Sequence, residues 1–264
     1  AIQFKASYFA DVSNNWGISF SIWECGEQLD KNKFKYKCTD IIDGEVTIIS
    51  EKDVYNVDGL KSGKEWIKEP IKNIKLYNTI PLKSALNIGT TLGTKLSKDT
   101  LGCYVNNSNN IDSNTQTVFI LSSCYNSVTV PTTDINKLNF SRVCSNFASR
   151  RLIEKNWVNW QDEYLAPNEQ HPLFNEFVND SVVYSLFESK SNQSSLRQVE
   201  YKDKLWDIKN EFCWYDINMV KKLSNENNLD FTYNDAATME QRYVYKYIQQ
   251  HINGFSKEAM DVLN

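Results

Sequence analysis

Apolar and polar positions alternate at the start of the chain. Ile18, Phe20 and Ile22 fall on one face and Ser19 and Ser21 on the other, a period of two that predicts a strand. Phe4, Tyr8 and Phe9 precede a polar turn at Asp11 to Asn15, so residues 2–25 read as a hairpin. A lone hairpin is marginal in water, and this one needs a sheet to join. A second hairpin follows: Phe34 to Ile42, the turn signal Asp43-Gly44, then Val46 to Ser50. Val54 to Gly59 reads as irregular, and Gly63 to Lys68 as a short helix or turn. Residues 76–130 look like strand and loop, punctuated by Gly89, Gly93 and Gly102. They hold a polar excursion at Asn106 to Asn114 and a buried strand at Gln116 to Ser122.

The period changes near residue 131. Thr133-Asp134 reads as the cap of a helix running to about Lys155, with Leu138, Val143, Phe147 and Leu152 inward. A second helix starts after Pro172 with Phe174, Phe177, Val178, Val182 and Leu186 on its inner face. A third covers about Asp216 to Glu226. A fourth runs from Met239 to Ile252 and stops at Gly254, and Ser256 caps a last one. The predicted class is α+β, with a β-rich N-terminal half and a helical C-terminal half. The predicted segments are 1–26, 27–131 and 132–264.

Between the second and third helices lies Leu186 to Trp214, which fits neither period. Its first part, Ser189 to Arg197, is a run of hydroxyls, amides and two cations. By itself such a run is a solvated loop. Trp206, Phe212 and Trp214 follow closely and predict that it is anchored to a core.

Composition narrows the class. The chain has 264 residues and a net charge of −4, which weighs against nonspecific coating of nucleic acid but leaves room for a local basic face. No apolar run approaches the ~20 residues that span a bilayer, and no secretory signal opens the chain. The six cysteines include no CxxC pair and read as reduced, mostly buried thiols of a cytoplasmic protein. The two histidines, His171 and His251, are far apart, which argues against zinc.

Charge is uneven along the chain. The helix predicted from Thr133 carries Lys137, Arg142, Arg150, Arg151 and Lys155 against Glu154 alone. Arg142, Arg150, Arg151 and Lys155 are the candidate phosphate contacts. Adjacent residues on a helix point about 100° apart, so Arg150 and Arg151 cannot face one phosphate row, and one of them is expected to turn inward. In the later loop, Lys190, Ser191, Asn192, Gln193 and Arg197 carry the groups that bond phosphates and the edges of A and G. Lysines 61, 64, 68, 72 and 75 alternate with Glu65 and Glu69 and read as a solvated face.

Enzyme signatures are sparse. GxGxxG, the Walker loop, GxSxG and HExxH are all missing, as is [DN]PP[FY]. Glu200-Tyr201-Lys202 is an ExK triplet with Asp180 upstream, a set that can hold Mg2+ in nucleases. So short a triplet arises often by chance, and the bland reading of these residues is structural.

The opening FKASYFADVSNNWGISFSIWECG resembles the final hairpin of the catalytic domain in adenine-N6 DNA methyltransferases of bacterial restriction-modification systems. Leu101 to Asn106, Phe147 to Arg151 with Trp157 to Asn159, and Asp162 to Asn168 are similar to the downstream part of the same proteins. So are the SKSNQSSLR loop and its KLWDIKNEF continuation. The resemblance covers most of the chain as an ordered series of segments. Such enzymes carry a glycine-containing S-adenosylmethionine loop and an NPPY-type motif ahead of the hairpin, and this chain has neither. The resemblance therefore implies a C-terminal, target-recognition part that starts near the end of the catalytic sheet. The opening on Ala1, within a strand-like pattern, fits a fragment or processed product. Its apolar half-sheet should then be a compromised or re-paired edge.

The implied role is recognition of double-stranded DNA, while an upstream domain extrudes and methylates adenine. This chain alone would hold no cofactor and transfer no methyl group; S-adenosylmethionine would belong to the full-length protein. A restriction or specificity subunit is the further implied partner, with no membrane involved. Two other readings stay open. One is a metal-dependent restriction nuclease using Asp180, Glu200 and Lys202; the other is a protein-interaction module.

Overall fold

A computed structural model describes residues 1–22, 25–26, 33–55, 59–74, 99–106, 108–121, 132–188, 198–207, 217–226 and 239–264. Strands dominate the N-terminal half and helices the C-terminal half, so the fold is α+β. The chain forms two compact units, each assembled from separate stretches. One gathers Ala1–Lys64, Ser108–Thr115 and Arg150–Ala166. The other gathers Glu65–Asn107, Gln116–Ser149 and Pro167–Asn264.

The first unit is built on a four-stranded sheet in the order β2-β1-β3-β4. β1 (Ile2–Lys5) and β2 (Gly17–Phe20) form the opening hairpin, pairing antiparallel from Ile2↔Phe20 to Lys5↔Gly17. The hairpin finds its sheet through a parallel pairing of Ile2 and Gln3 with Lys37 and Cys38 of β3 (Lys33–Ile42). β3 turns through Asp43 (φ 52°) and Gly44 (φ 83°) into β4 (Glu45–Tyr55). Left-handed backbone at both positions is what a tight hairpin turn needs, and Asp-Gly supplies it. β4 runs through Val54 and Tyr55, where the sequence predicts irregular chain, because both pair with β3.

Alternation sorts the two faces of this sheet. Gln3, Gly17 and Cys38 share the inner face, and the Gln3 amide donates to the Trp157 carbonyl at 2.7 Å. Lys52 donates to the Val158 carbonyl at 2.7 Å and pairs with Asp162. A Cβ at Gly17 would press on the Trp157 carbonyl and the Gln3 amide, so the approach of the 157–160 turn depends on glycine there. Ile2, Phe4, Ile18 and Phe20 share the other face. There Phe4, Phe9 and Phe20 meet edge to face at 5.5–6.0 Å, while Phe9 and Phe20 remain half exposed.

In the second unit, β5 (Thr100–Val105) is the middle strand of the sheet β6-β5-β7, flanked by β6 (Val118–Ile120) and β7 (Thr132–Asn136). Two expectations are corrected here. Gly102 lies within β5, and Thr133-Asp134 do not cap a helix: they sit in β7, paired with Tyr104 and Cys103. Thr132, Thr133 and Ile135 are β-branched and suit a strand, and β5 offers them a ladder that a local cap signal cannot match. The helix, α2 (Phe140–Leu152), starts later, the second in the chain after the short α1 (Gly63–Lys68). The Asn139 side chain receives the Asn136 N–H at 2.7 Å, and Asn139 donates to the Ile67 and Asp134 carbonyls. The inner face of α2 is accordingly Phe140, Val143, Cys144 and Phe147, all fully buried, whereas Leu138 and Leu152 are exposed.

The remaining helices follow the sequence pattern. α3 (Phe174–Phe187) begins two residues after Pro172 and buries Val182, Val183 and Leu186. α4 is Ile217–Glu226, α5 is Met239–Gln250 and α6 is Lys257–Leu263. Ser256 caps α6 by accepting the Ala259 N–H at 3.1 Å. Phe140 meets Tyr243 and Tyr247 of α5 edge to face at 5.4 and 5.5 Å. One element within the helical half went unforeseen: a hairpin of β8 (Gln198–Tyr201) and β9 (Lys204–Asp207). Its turn places Lys202 (φ 52°) and Asp203 (φ 58°) in the left-handed region, with neither the glycine nor the asparagine that would have announced it. Among the described residues no helix is long and apolar enough to cross a membrane.

Of the cysteines, Cys38, Cys103 and Cys144 are buried free thiols and Cys25 is exposed; Cys124 and Cys213 lie outside the described residues. Burial, helped by the neighbouring Asp134 carboxylate, pushes the Cys103 thiol up to about 12. Burial drives Cys144 higher still, against an opposing hydrogen bond from Ser185. Only the thiolate attacks, and a raised pKa leaves almost none of it at pH 8. Iodoacetamide at pH 8 is therefore expected to modify Cys25 in the native chain and to reach Cys103 and Cys144 only after denaturation. Peptide mapping by mass spectrometry reads this, and native labelling of Cys144 would contradict the packing.

Candidate nucleic-acid interface

The cations expected to face phosphates are positioned by α2 and the turn after it. In the second unit, Arg142 is held by two carboxylates, with Nη1 3.2 Å from Glu69 and Nη2 3.2 Å from Glu169. It also donates to the Trp66 carbonyl at 3.1 Å, and its guanidinium lies 5.1 Å from the centre of the Trp66 ring. Trp66 completes the group by donating its indole N–H to Glu169 at 2.7 Å. Lys137 pairs with Asp99 at 3.1 Å.

In the first unit, Arg150 points inward and is 1% exposed. Its guanidinium donates to the Asn110 carbonyl at 3.3 Å and to the Ser113 hydroxyl, and lies 4.9 Å from the centre of the Tyr164 ring. Arg151 is half-buried and also has an interaction of its own. The two adjacent arginines thus occupy different environments, as the rotation per residue requires. Lys155 reaches the Asp112 carboxylate at 3.1 Å and its carbonyl at 3.3 Å.

Arg142 on α2 and Lys155 after it are therefore answered inside the protein by carboxylates remote in sequence, and Arg150 is taken up by a carbonyl, a hydroxyl and a ring. Glu69 lies 73 residues from Arg142, and Asp112 lies 43 from Lys155. No spacing rule could have named these partners; only the fold brings them together. A phosphate binding at Arg142 would have to share it with Glu69 and Glu169, and binding at Arg150 would require opening the first unit.

Lys190, Ser191, Asn192, Gln193 and Arg197 lie outside the described residues, as do Phe212 and Trp214. The chain enters that segment from the end of α3 and leaves it into β8. The β8–β9 hairpin that follows is exposed at Gln198, Glu200 and from Lys202 to Leu205. It thus presents Lys202 and Lys204 at its tip. Lys61, Lys68 and Lys72 are exposed and Lys64 is half-buried; Lys75 lies outside the described residues.

Of the residues of the nuclease reading, Asp180 takes up a structural position, and Glu200 and Lys202 are exposed on the β8–β9 hairpin. The Asp180 carboxylate accepts the Ser256 N–H at 3.0 Å, just ahead of α6. Glu200 faces Leu205 across the β8–β9 ladder, and Lys202 sits in the turn. Among the described residues no group of three His, Cys, Asp or Glu side chains could hold a metal ion.

Next to Arg142 the second unit has an open cavity of about 330 Å³, lined by Ser141, Glu169, Asn179, Tyr247 and His251 among others. Its polar groups are mostly committed: Tyr247 donates to Asn179 at 3.1 Å, and Asn179 to the Gly254 carbonyl at 2.9 Å. The Tyr247 and His251 rings stack at 4.1 Å, a pair that the helical spacing of four residues makes possible. Compared with known proteins, the chain matches no family model, no curated protein and no solved structure.

Proposed function

We propose that this chain is the DNA-recognition portion of an adenine-N6 DNA methyltransferase of a restriction-modification system. In this reading it grips double-stranded DNA in the cytoplasm while an upstream domain binds S-adenosylmethionine and transfers the methyl group. A restriction or specificity subunit is the companion protein. The support in sequence is the ordered series of segments similar to that family.

The observation that carries the reading is the exposed β8–β9 hairpin, whose tip bears Lys202 and Lys204; in sequence it directly follows the hydroxyl- and amide-rich run Ser189 to Arg197, which lies outside the described residues. Cations near the backbone contribute affinity and amide or guanidinium forks discriminate bases, and this stretch holds both. The ion pairs of Arg142 and Lys155 and the burial of Arg150 argue against α2 as the contact and favour the run Ser189 to Arg197 with the hairpin after it. The uncovered aromatic face of the β1–β2 hairpin suits a sheet that packs against another domain.

Gel-shift titrations against salt test the reading. Weak binding to duplex DNA is expected, at a Kd on the order of 10⁻⁴ to 10⁻⁶ M, falling steeply as salt rises. Gln193→Ala and Arg197→Ala should each cost about 1–3 kcal/mol against the preferred site. Absence of binding at low salt would remove the proposal. Cleavage on adding Mg2+, abolished by Glu200→Ala, would replace it with the nuclease reading.

A further inference from the structure

α3 and α6 leave a groove between them in the second unit. Asp180, Val183, Tyr184 and Phe187 recur at the three- and four-residue spacing of one helical face, and this face forms one wall. Glu258, Ala259 and Val262 of α6 form the other. Two bonds fix the walls against each other. The Asp180 carboxylate accepts the Ser256 N–H at 3.0 Å, and the Asn179 amide donates to the Gly254 carbonyl at 2.9 Å. The cavity measures about 500 Å³, a size that takes small molecules.

The lining combines apolar surface with charge of one sign. Val183 and Ala259 are buried and form the floor, while Val262 is 53% exposed and stands at the mouth. The charged residues that line the groove are Asp180, Glu188 and Glu258, all acidic. Asp180 and Glu258 have no ion pair among the described residues. Glu69, Glu169 and Asp112, by contrast, each meet an arginine or lysine.

These carboxylates line the same cavity as the aliphatic and aromatic side chains, so both act on one occupant. A phosphate or other anion would meet like charge. A plain hydrocarbon would cover the apolar floor but strip water from Asp180 and Glu258 without replacing it, which is costly. A cation with an apolar body satisfies both parts. The rings of Tyr184 and Phe187 line the cavity too, and an aromatic face attracts an ammonium group. The lining is far smaller than the roughly 20–30 residues a side of a stable protein interface, which favours a small molecule over a protein surface. We propose that the α3–α6 groove binds a small organic ammonium ion, its apolar part against Val183, Ala259 and Val262 and its charge beside Asp180 and Glu258.

The test titrates the full chain and follows its backbone amides by NMR. The probes are hexyltrimethylammonium, 1-hexanol and hexanoate, which share a chain and differ in charge. Hexyltrimethylammonium is expected to give saturable shifts confined to α3 and α6, hexanol to bind more weakly and hexanoate not at all. D180N/E258Q should weaken the cation by about tenfold and flatten its salt dependence, since two carboxylates are lost. Asn keeps an acceptor for the Ser256 N–H, so the walls should stay joined. Val262→Lys, at an exposed position, should abolish binding by placing a cation at the mouth. Several results would overturn the proposal. These are no saturable shifts with the cation, shifts spread over the rest of the chain, hexanol or hexanoate binding as tightly, or unchanged affinity in either variant. So would the same amides shifting with protein concentration alone, the sign of a second copy in the groove.

Discussion

Arg150→Ala is expected to destabilise the chain by about 3–5 kcal/mol, the scale for emptying a large buried site and stranding its polar partners. At about 2–4 °C per kcal/mol for a chain of this size, the melting temperature should fall by about 6–20 °C. The side chain is 1% exposed, and its loss leaves the Ser113 hydroxyl and the Asn110 carbonyl without its N–H groups. It also removes the cation beneath the Tyr164 ring. Arg150→Lys keeps the charge but not the planar fork, and should recover only a minor part of the loss. Differential scanning calorimetry measures both. A variant that melts with the parent yet binds DNA more weakly would place Arg150 at a solvated interface and contradict its buried position.

Gly102→Ala carries the second large effect. A Cβ at this position would lie 2.9 Å from the carbonyl carbon of Ile120 and 2.9 Å from the Cα of Leu121, and closer still to the Ile120 oxygen. These are backbone atoms of the neighbouring strand and cannot rotate aside. β6 must shift or leave the sheet, at a cost of about 3 kcal/mol or more. The melting temperature should drop by about 6–12 °C, with amide exchange rising first along Val118–Ile120. A silent Gly102→Ala would mean that β6 moves freely against β5.

The same two residues show what the sequence reading could reach. The alternation and turn chemistry of residues 2–20 and of Asp43-Gly44 were legible, because period and turn type are local properties. The starts and stops of α3, α5 and α6 were legible for the same reason. Gly102 read as loop punctuation, since nothing local reveals a backbone pressed against its position from Ile120. Thr133-Asp134 carried a valid cap signal, and β5 overrode it by offering a ladder of hydrogen bonds. The tight turn at Lys202-Asp203 uses left-handed backbone with no glycine to mark it.

For the candidate site the division is similar. The hydroxyl- and amide-rich run at Ser189 to Arg197 was visible in composition. The fate of the basic helix was not. Arg142, Arg150, Arg151 and Lys155 described a phosphate-binding face until Glu69 and Glu169 met Arg142 and Asp112 met Lys155. Coulomb attraction acts through space at a few ångströms, and sequence distance does not report it.

By itself, then, the sequence determined the α+β order of elements, the first two hairpins and the extents of the later helices, because these follow from periodicity and turn chemistry within a few residues. The tertiary structure decided which cations remain available, which glycine must stay a glycine, and how separated stretches combine into two units. It also set the carboxylates of Asp180 and Glu258 along one groove between α3 and α6. Those outcomes depend on contacts between residues tens of positions apart, and packing alone brings them within reach.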